Sequence, residues 1–369
     1  MNAYASIQAS DVVPTMRQRR WAQKTRDIVL CRRVIDETHD VKTFVLTSAA
    51  GRMFCFSAGQ YVLVHLRING ATITRAYSVS SPPTRPLDLQ ITVKRTQGGL
   101  TSNWIHDHLT PGSEIEIEGP LGSFNLDKLP SEKPVFLSGG SGVTPTMSML
   151  RALTDRADDR EIRFIHSAKT PGDIIFRAEL EALAARFPNV QVTLVCGQGG
   201  PAWTGSTGRI DGRMLLSLVP DLHKRTVFAC GPEGYMKTAR ACLDAIGFPP
   251  AQYHEESFGG SNGSRSELGL AISSSVRFVR SGVEQRCAPG ETLLDAARNC
   301  GIYIPTACQQ GVCGTCRIAK LSGEVTMDDL GGLNAKEKSA GGCVRQVLQN
   351  GAAMMLVMRL GAERASCAR

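Results

Sequence analysis

The run Cys308-Gln309-Gln310-Gly311-Val312-Cys313-Gly314-Thr315-Cys316 spaces three cysteines as C-x4-C-x2-C. That spacing suits a plant-type 2Fe–2S cluster. A tight loop must aim several thiolates at one cluster and turn its N–H groups toward the sulfurs. Gly311 and Gly314 permit the φ values this needs, at no Cβ cost. Zinc is the competing ligand, and a non-redox zinc-binding interaction module is the competing function. Zinc sites pair C-x2-C with a second pair or with histidines, and no histidine follows His254. An iron–sulfur centre moves single electrons, so electrons must reach it from elsewhere.

Two other blocks carry chemistry suited to that supply. Ser138-Gly139-Gly140-Ser141-Gly142-Val143-Thr144-Pro145 follows an apolar run and precedes a helical pattern. Its glycines let the backbone approach phosphates, and a helix start adds positive potential. Thr144 and Pro145 break the G-x-G-x-x-G spacing, so the turn is a nucleotide cradle of another type. Cys230-Gly231-Pro232 ends a later strand on the same sheet edge, where open α/β sheets take ligands. Taken alone, Cys230 reads as a small core residue. Upstream, Arg75-Ala76-Tyr77-Ser78 offers a guanidinium for a phosphate, a flat face for a ring and a hydroxyl for a ring nitrogen. Gly98-Gly99-Leu100-Thr101-Ser102-Asn103 offers N–H groups and the Ser102 hydroxyl to a pyrophosphate, or a simple N-cap at Thr101 or Ser102.

These groups need elements to hold them. The chain has 369 residues, 42% hydrophobic, enough for two or three domains. Residues 1–24 read as a flexible arm with basic residues Arg17, Arg19, Arg20 and Lys24, next to Arg26. Short β-branched runs at Ile28–Leu30, Thr43–Leu46, Tyr61–Leu66, Leu89–Val93 and Ile115–Ile117 point to an antiparallel β-barrel over 25–128. From Lys133 strands alternate with helices: strands at Pro134–Ser138, Ile162–His166, Val190–Val195 and Thr226–Cys230, helices at Thr146–Ala157 and Phe176–Phe187. That rhythm predicts a parallel α/β domain over 129–258. A Ser/Gly linker spans 259–275. A third unit, 276–369, opens on a hairpin at Ser281-Gly282 and a helix from Thr292 to Asn299. Ala352–Val357 is too short to span a membrane and reads as a strand. The formal charge is +8, but no motif supports nucleic-acid binding. Absence of a signal peptide and the scattered cysteines point to the cytoplasm.

The three blocks, in this order, resemble ferredoxin–NADP reductase-like flavoenzymes fused to a C-terminal plant-type ferredoxin, the arrangement of oxygenase reductase components. Glu37–Val41, Ile91–Arg95, Ser102–Trp104, His166–Pro171 and Tyr253–Phe258 are similar to reductase subunits of glycine betaine monooxygenases and to hybrid-cluster-protein reductases. The resemblance covers roughly 25–340. It implies a β-grasp α+β ferredoxin unit, FAD, NAD(P)H with NADH favoured, and electron flow from NADH through FAD and 2Fe–2S to a redox protein. That acceptor is a Rieske-type oxygenase acting on a quaternary amine, or a hybrid-cluster protein. It further implies that Arg75, Tyr77 and Ser78 hold FAD, with Lys94 and Ser102 near its phosphates or adenine. Gly140, Gly142 and Thr144 would face the coenzyme, Cys230, Gly231 and Pro232 would line the nicotinamide pocket, and Glu256 and Phe258 would close the flavin site. Cys308, Cys313 and Cys316 would ligate iron. One stretch departs from the family. The fourth cysteine belongs to a Cys-Cys-Ser-x-Pro run, but Gly341-Gly342-Cys343-Val344-Arg345-Gln346 places no cysteine near Gln346 and lacks the proline. Either Cys343 ligates, three residues early, or the cluster is incomplete; Cys343 is the expectation.

Overall fold

The computed structural model describes residues 20–21, 25–258, 274–287, 291–302, 304, 316, 318–322, 325–327, 342–343, 346–347 and 355–360. The first unit is an antiparallel sheet of six strands: β1 (Thr25–Thr38), β2 (Val41–Ser48), β3 (Tyr61–Ile68), β4 (Ala71–Ser78), β5 (Leu89–Lys94) and β6 (Glu114–Leu121). Their order is β4-β3-β6-β1-β2-β5. A bridge between Val79 and Ile91 brings the two ends together, so the sheet curls into a barrel. Branched and aromatic side chains fill it, among them Val29, Phe44, Leu46, Val62, Val64, Ile91 and Ile117. The β3–β4 turn is Asn69-Gly70, both at positive φ, the conformation that a two-residue hairpin turn requires. It fixes the register that sets Arg75 opposite Val64, Tyr77 opposite Val62 and Ser78 opposite Tyr61.

One residue of the expected loose arm behaves otherwise. Trp21 is 1% exposed. Its ring meets Phe54 edge-on at 5.5 Å, and the Trp21 backbone N–H donates to the Met53 carbonyl at 2.9 Å. A large apolar ring next to an open barrel end is driven inside whatever the polarity of its sequence neighbours. Arg26, counted with the basic cluster, pairs with Glu116 and Glu118 of β6.

The second unit is a six-stranded parallel sheet. Its strands are β7 (Pro134–Gly139), β8 (Ile162–Ala168), β9 (Val190–Cys196), β10 (Ser206–Thr207), β11 (Thr226–Gly231) and β12 (Tyr253–Ser257), in the order β10-β9-β8-β7-β11-β12. Between them run α2 (Val143–Asp155), α3 (Arg177–Arg186), α4 (Gly212–Leu218) and α5 (Glu233–Ala245); α1 (Leu100–His108) belongs to the barrel. The sequence reading did not anticipate α4, α5 or β12. α5 buries Met236, Ala239 and Leu243 on one stripe, but its other positions are polar enough to dilute the pattern. β12, Tyr-His-Glu-Glu-Ser, lacks apolar alternation and is a strand because β11 offers it a free edge. α2 begins three residues earlier than expected, and its residues from Val143 to Thr154 are all buried. A helix buried all round must be covered on every side; here the sheet and the barrel both cover it.

The third unit pairs β13 (Ser274–Phe278) with β14 (Val283–Cys287) around Gly282 at φ +66°. α6 (Leu293–Asn299) is capped by Thr292, whose hydroxyl accepts from the Asp295 N–H. β15 (Ile318–Lys320), β17 (Gly342–Cys343) and β19 (Met355–Leu360) complete a sheet ordered β14-β13-β19-β15-β17, and β16 (Thr326–Met327) pairs with β18 (Gln346–Val347). The expected Ser/Gly linker lies outside the described residues up to 273, and β13 starts at Ser274. Among the described residues no helix is long and apolar enough to cross a membrane.

Trp21→Ala should destabilise the barrel by ~3–5 kcal/mol, the usual loss for a buried aromatic. Urea denaturation of the two proteins would measure it. A loss of a few tenths would show that the ring is not part of the core.

Candidate active site

Register makes the site. In the parallel sheet Phe164 aligns with Phe136, Phe136 with Phe228, and Phe228 with His254. Aligned residues of neighbouring strands share a face. Neighbouring rings in this row stand 5.5–5.8 Å apart and close the layer beneath. Two residues further along, the same face carries His166, Ser138, Cys230 and Glu256 in one row. Apolar packing below thus holds a polar row at the carboxyl ends of the strands, where open α/β sheets bind ligands.

The end of that row meets the barrel. Ser78 Oγ donates to Glu256 Oε2 at 3.1 Å, and both side chains are buried. Desolvation pushes the Glu256 carboxyl up to about 8, although the Ser78 hydrogen bond opposes it. It is therefore mostly protonated at neutral pH and has a proton to hold or give. Desolvation, and then the charge of Glu256, raises the Cys230 thiol well above its ordinary value. Cys230 is thus a neutral, polarizable group and not a thiolate nucleophile. At the far end Ser138 Oγ lies 2.9 Å from His166 Nδ1. Complete burial pushes that imidazole down to about 4, so it is neutral too.

The glycine turn packs onto the row from above. A Cβ on Gly142 would collide with the Cys230 carbonyl, and one on Gly139 or Gly231 would strike the Tyr235 ring. Beside Gly140, at φ +50°, there is open space. The turn is thus closed on its inner side by backbone and open on its outer side, which suits the approach of a nucleotide. Tyr235 packs against two of the motif glycines, a role that nothing in its sequence neighbourhood signals.

Three domain models match the chain: an oxidoreductase FAD-binding domain over residues 31–126, an oxidoreductase NAD-binding domain over 136–241 and a 2Fe-2S iron–sulfur cluster binding domain over 277–347. The glycine betaine monooxygenase reductase subunit of Chromohalobacter salexigens is 40% identical over 334 residues, 86% of this chain and 91% of that one. The chain belongs to the FAD- and 2Fe–2S-containing NAD-dependent reductases. Stachydrine N-demethylase reductase subunit Stc4 of Rhizobium meliloti is 34% identical over 83% of this chain and 89% of its own. Among solved structures, phthalate dioxygenase reductase superposes with a TM-score of 0.60 at 26% identity, covering 90% of this chain and 97% of that one. The reductase is therefore an oxidoreductase, in the three-unit fold that its sequence implies.

Arg75 Nη1 donates to the Thr74 carbonyl at 2.8 Å. Tyr77 packs its ring partly against the barrel core, and burial raises its phenol, which stays protonated. Lys94 pairs with Asp40 at 2.8 Å; partial burial resists ionisation of Asp40, but the ammonium holds its carboxyl below the usual range. Ser102 does not cap α1, whose N-cap is Gly99; its hydroxyl accepts from the Thr96 N–H at 3.1 Å and braces the glycine turn. Thr144 is buried and donates to the Ser141 carbonyl at 3.0 Å. Pro232 stands at the N-cap of α5, and Phe258 follows β12. Of the iron-ligand candidates, Cys316 is 7% exposed within the third unit's core; Cys308 and Cys313 lie outside the described residues.

The raised carboxyl gives a pH prediction. Its folded value, about 8, stands above the ordinary 4.5. Between those values the unfolded chain binds fewer protons than the native one, so Glu256 lowers stability as pH rises from about 4.5 to about 8. Glu256→Gln should flatten that fall in melting temperature. A wild-type curve that parallels the Gln variant across this range would show that the carboxyl is not held neutral.

Proposed function

We propose that this reductase accepts hydride from NADH at the barrel–sheet seam and releases electrons singly, through its 2Fe–2S unit, to a Rieske-type oxygenase that demethylates a quaternary amine. The buried Ser78–Glu256 contact between the two nucleotide units carries the reading. The oxygenase-linked relatives support the partner class. FAD, when bound, couples the two-electron chemistry of NADH to the one-electron chemistry of the cluster.

The residues around the seam divide the work of binding. Arg75 would hold a phosphate of FAD, with Lys94 and Ser102 toward its phosphate and adenine end. Tyr77 would lie against the isoalloxazine, and Ser78 would turn its hydroxyl to the reactive edge. Glu256, with Phe258 beyond it, would close that pocket and hold a proton at its carboxyl. Gly140, Gly142 and Thr144 would form the coenzyme turn. Cys230, Gly231 and Pro232 would border the nicotinamide, with the neutral thiol filling space without adding charge. NADH is favoured because the end of β8, Ala168-Lys169-Thr170, offers one lysine and no arginine pair to a 2′-phosphate. Anaerobic titration of the purified protein with NADH, followed in the visible range, tests the whole reading. Stoichiometric bleaching of flavin and then of cluster is expected; a colourless protein, or one that NADH leaves unchanged, would refute it. Turnover with a hybrid-cluster protein and none with an oxygenase would replace the proposed partner.

Cys343 is the proposed fourth iron ligand. It pairs across the sheet with Ile318, two residues beyond Cys316, so its strand runs beside the exit of the cysteine loop. Gln346 instead belongs to β18, opposite Met327 in a separate ladder. Each iron needs two terminal ligands. Cys343→Ser should therefore abolish or strongly shift the electron paramagnetic resonance signal of the dithionite-reduced protein, and Cys367→Ser should leave it intact. An unchanged signal in Cys343→Ser would exclude the assignment, and no signal in the parent would mean that the site holds no cluster.

A further inference from the structure

We infer that α2 is a strut setting the spacing of the flavin pocket and the nicotinamide turn, and that Arg151 is its positioning residue. The inference rests on hydride transfer across the seam, as proposed above. α2 begins at the coenzyme turn, with Gly142 as its N-cap. From there Ser148, Arg151 and Asp155 follow at spacings of three and four, which places them on one helix face. All three bond to the barrel segment that starts just after Arg75-Ala76-Tyr77-Ser78. Ser148 Oγ donates to the Ser81 carbonyl at 2.7 Å. Arg151 Nη1 donates to the Ser80 carbonyl at 2.7 Å and to Gln90 Oε1 at 3.3 Å. Asp155 accepts from Thr84 Oγ1 at 2.5 Å and from both Nε and Nη2 of Arg85, at 2.9 and 2.6 Å.

Arg151 ties in a third element. Its Nε and Nη2 donate to Glu179 of α3, a bidentate pair at 2.8 and 2.5 Å, and its side chain is 6% exposed. The guanidinium lies 4.7 Å from the centre of the Phe176 ring. Phe176 N-caps α3 at φ +58°, a left-handed conformation that a bulky residue keeps only where its surroundings over-determine it. Apolar packing of α2 against Val41, Ala58 and Phe124 brings the units together, but it does not fill this part of the seam. A cavity of about 830 Å³ opens there, lined by Arg33, Glu37, Arg85, Arg151, Phe176 and Glu179 among others. None of the flavin or nicotinamide residues line it. Beside this cavity the polar bonds of α2 add direction to that packing, and only a planar five-donor fork can serve the Ser80 and Gln90 acceptors together with the Glu179 carboxylate. Loosening that fork lets the two nucleotide units shift, and transfer between bound partners is steeply sensitive to such misplacement.

The test uses full-length protein loaded with FAD and cluster, comparing wild type, Arg151→Lys, Arg151→Met and Glu179→Gln by anaerobic stopped-flow reduction with NADH. Arg151→Met should slow the saturating rate of flavin reduction by roughly ten- to a hundredfold, with little change in FAD content or in half-saturating NADH. Arg151→Lys should fall between, because it keeps the charge and loses the fork. Amide exchange before NADH is added should quicken over residues 80–90 and 176–186. A folded Arg151→Met protein reduced at the wild-type rate overturns the inference. So does a loss that follows melting temperature equally in Lys and Met. If Arg151→Met does not retain FAD, Glu179→Gln decides: it removes the carboxylate that anchors the fork, and an unchanged rate with unchanged exchange overturns the strut. Failure of the wild type to be reduced by NADH would refute the functional reading, which is a different result.

Discussion

A carboxyl group kept from water joins the two nucleotide units. Glu256 sits on the edge strand of a parallel sheet, and its hydrogen bond is to the last residue of a barrel strand. A buried carboxylate is costly unless it is paired or protonated. The fold takes the second course, and this works only while both units exclude solvent from the seam. Barrel closure, the β11–β12 register and the docking of α2 all meet that condition. Any of them, if lost, would wet the carboxyl and return it toward its ordinary acidity.

Two kinds of force share the seam. Below the polar row Phe228 packs edge-on against Phe124 of the barrel unit, and α2 shares an apolar core with Val41, Ala58 and Phe124; burial of that area is non-directional. It can bring the units together but cannot set their spacing to a fraction of an ångström. The bonds from Ser148, Arg151 and Asp155 are directional and fix it. The charged groups here are paired side by side, as with Arg151 and Glu179. The groups at the site itself, Cys230, His166 and Glu256, are held neutral by burial. Charge is thus kept out of the row at the strand ends and paired where the two units meet.

Chain order serves this arrangement. The barrel supplies Tyr77 and Ser78 at the end of one hairpin strand, and the next segment, 80–85, is the one that α2 grips. The sheet then supplies its turn, its thiol and its carboxyl at the ends of β7, β11 and β12. The third unit has its own core around Val276, Phe278, Leu293 and Cys316, as expected of a module that carries electrons away and not of a part of the seam.

The sequence by itself determined the cofactor chemistry and the three-part order. Cysteine spacing, the glycine turn and Arg75-Ala76-Tyr77-Ser78 are local motifs, and strand and helix rhythms follow from side-chain periods that neighbours alone impose. It named Ser78, Cys230 and Glu256 separately, yet not that they meet, because residues 178 positions apart are brought together only by docking. It put Trp21 in a loose arm and missed β12, since both owe their placement to surfaces made elsewhere in the chain. Ser102 read as a pyrophosphate ligand or as a cap, and only the path of the turn showed its hydroxyl facing Thr96. Arg151 carried no signal at all: an arginine on an ordinary helix acquires its role from three partners distant in sequence. Local chemistry is written in adjacent residues, whereas burial, register and the pKa values that follow from them exist only once the units have closed on one another.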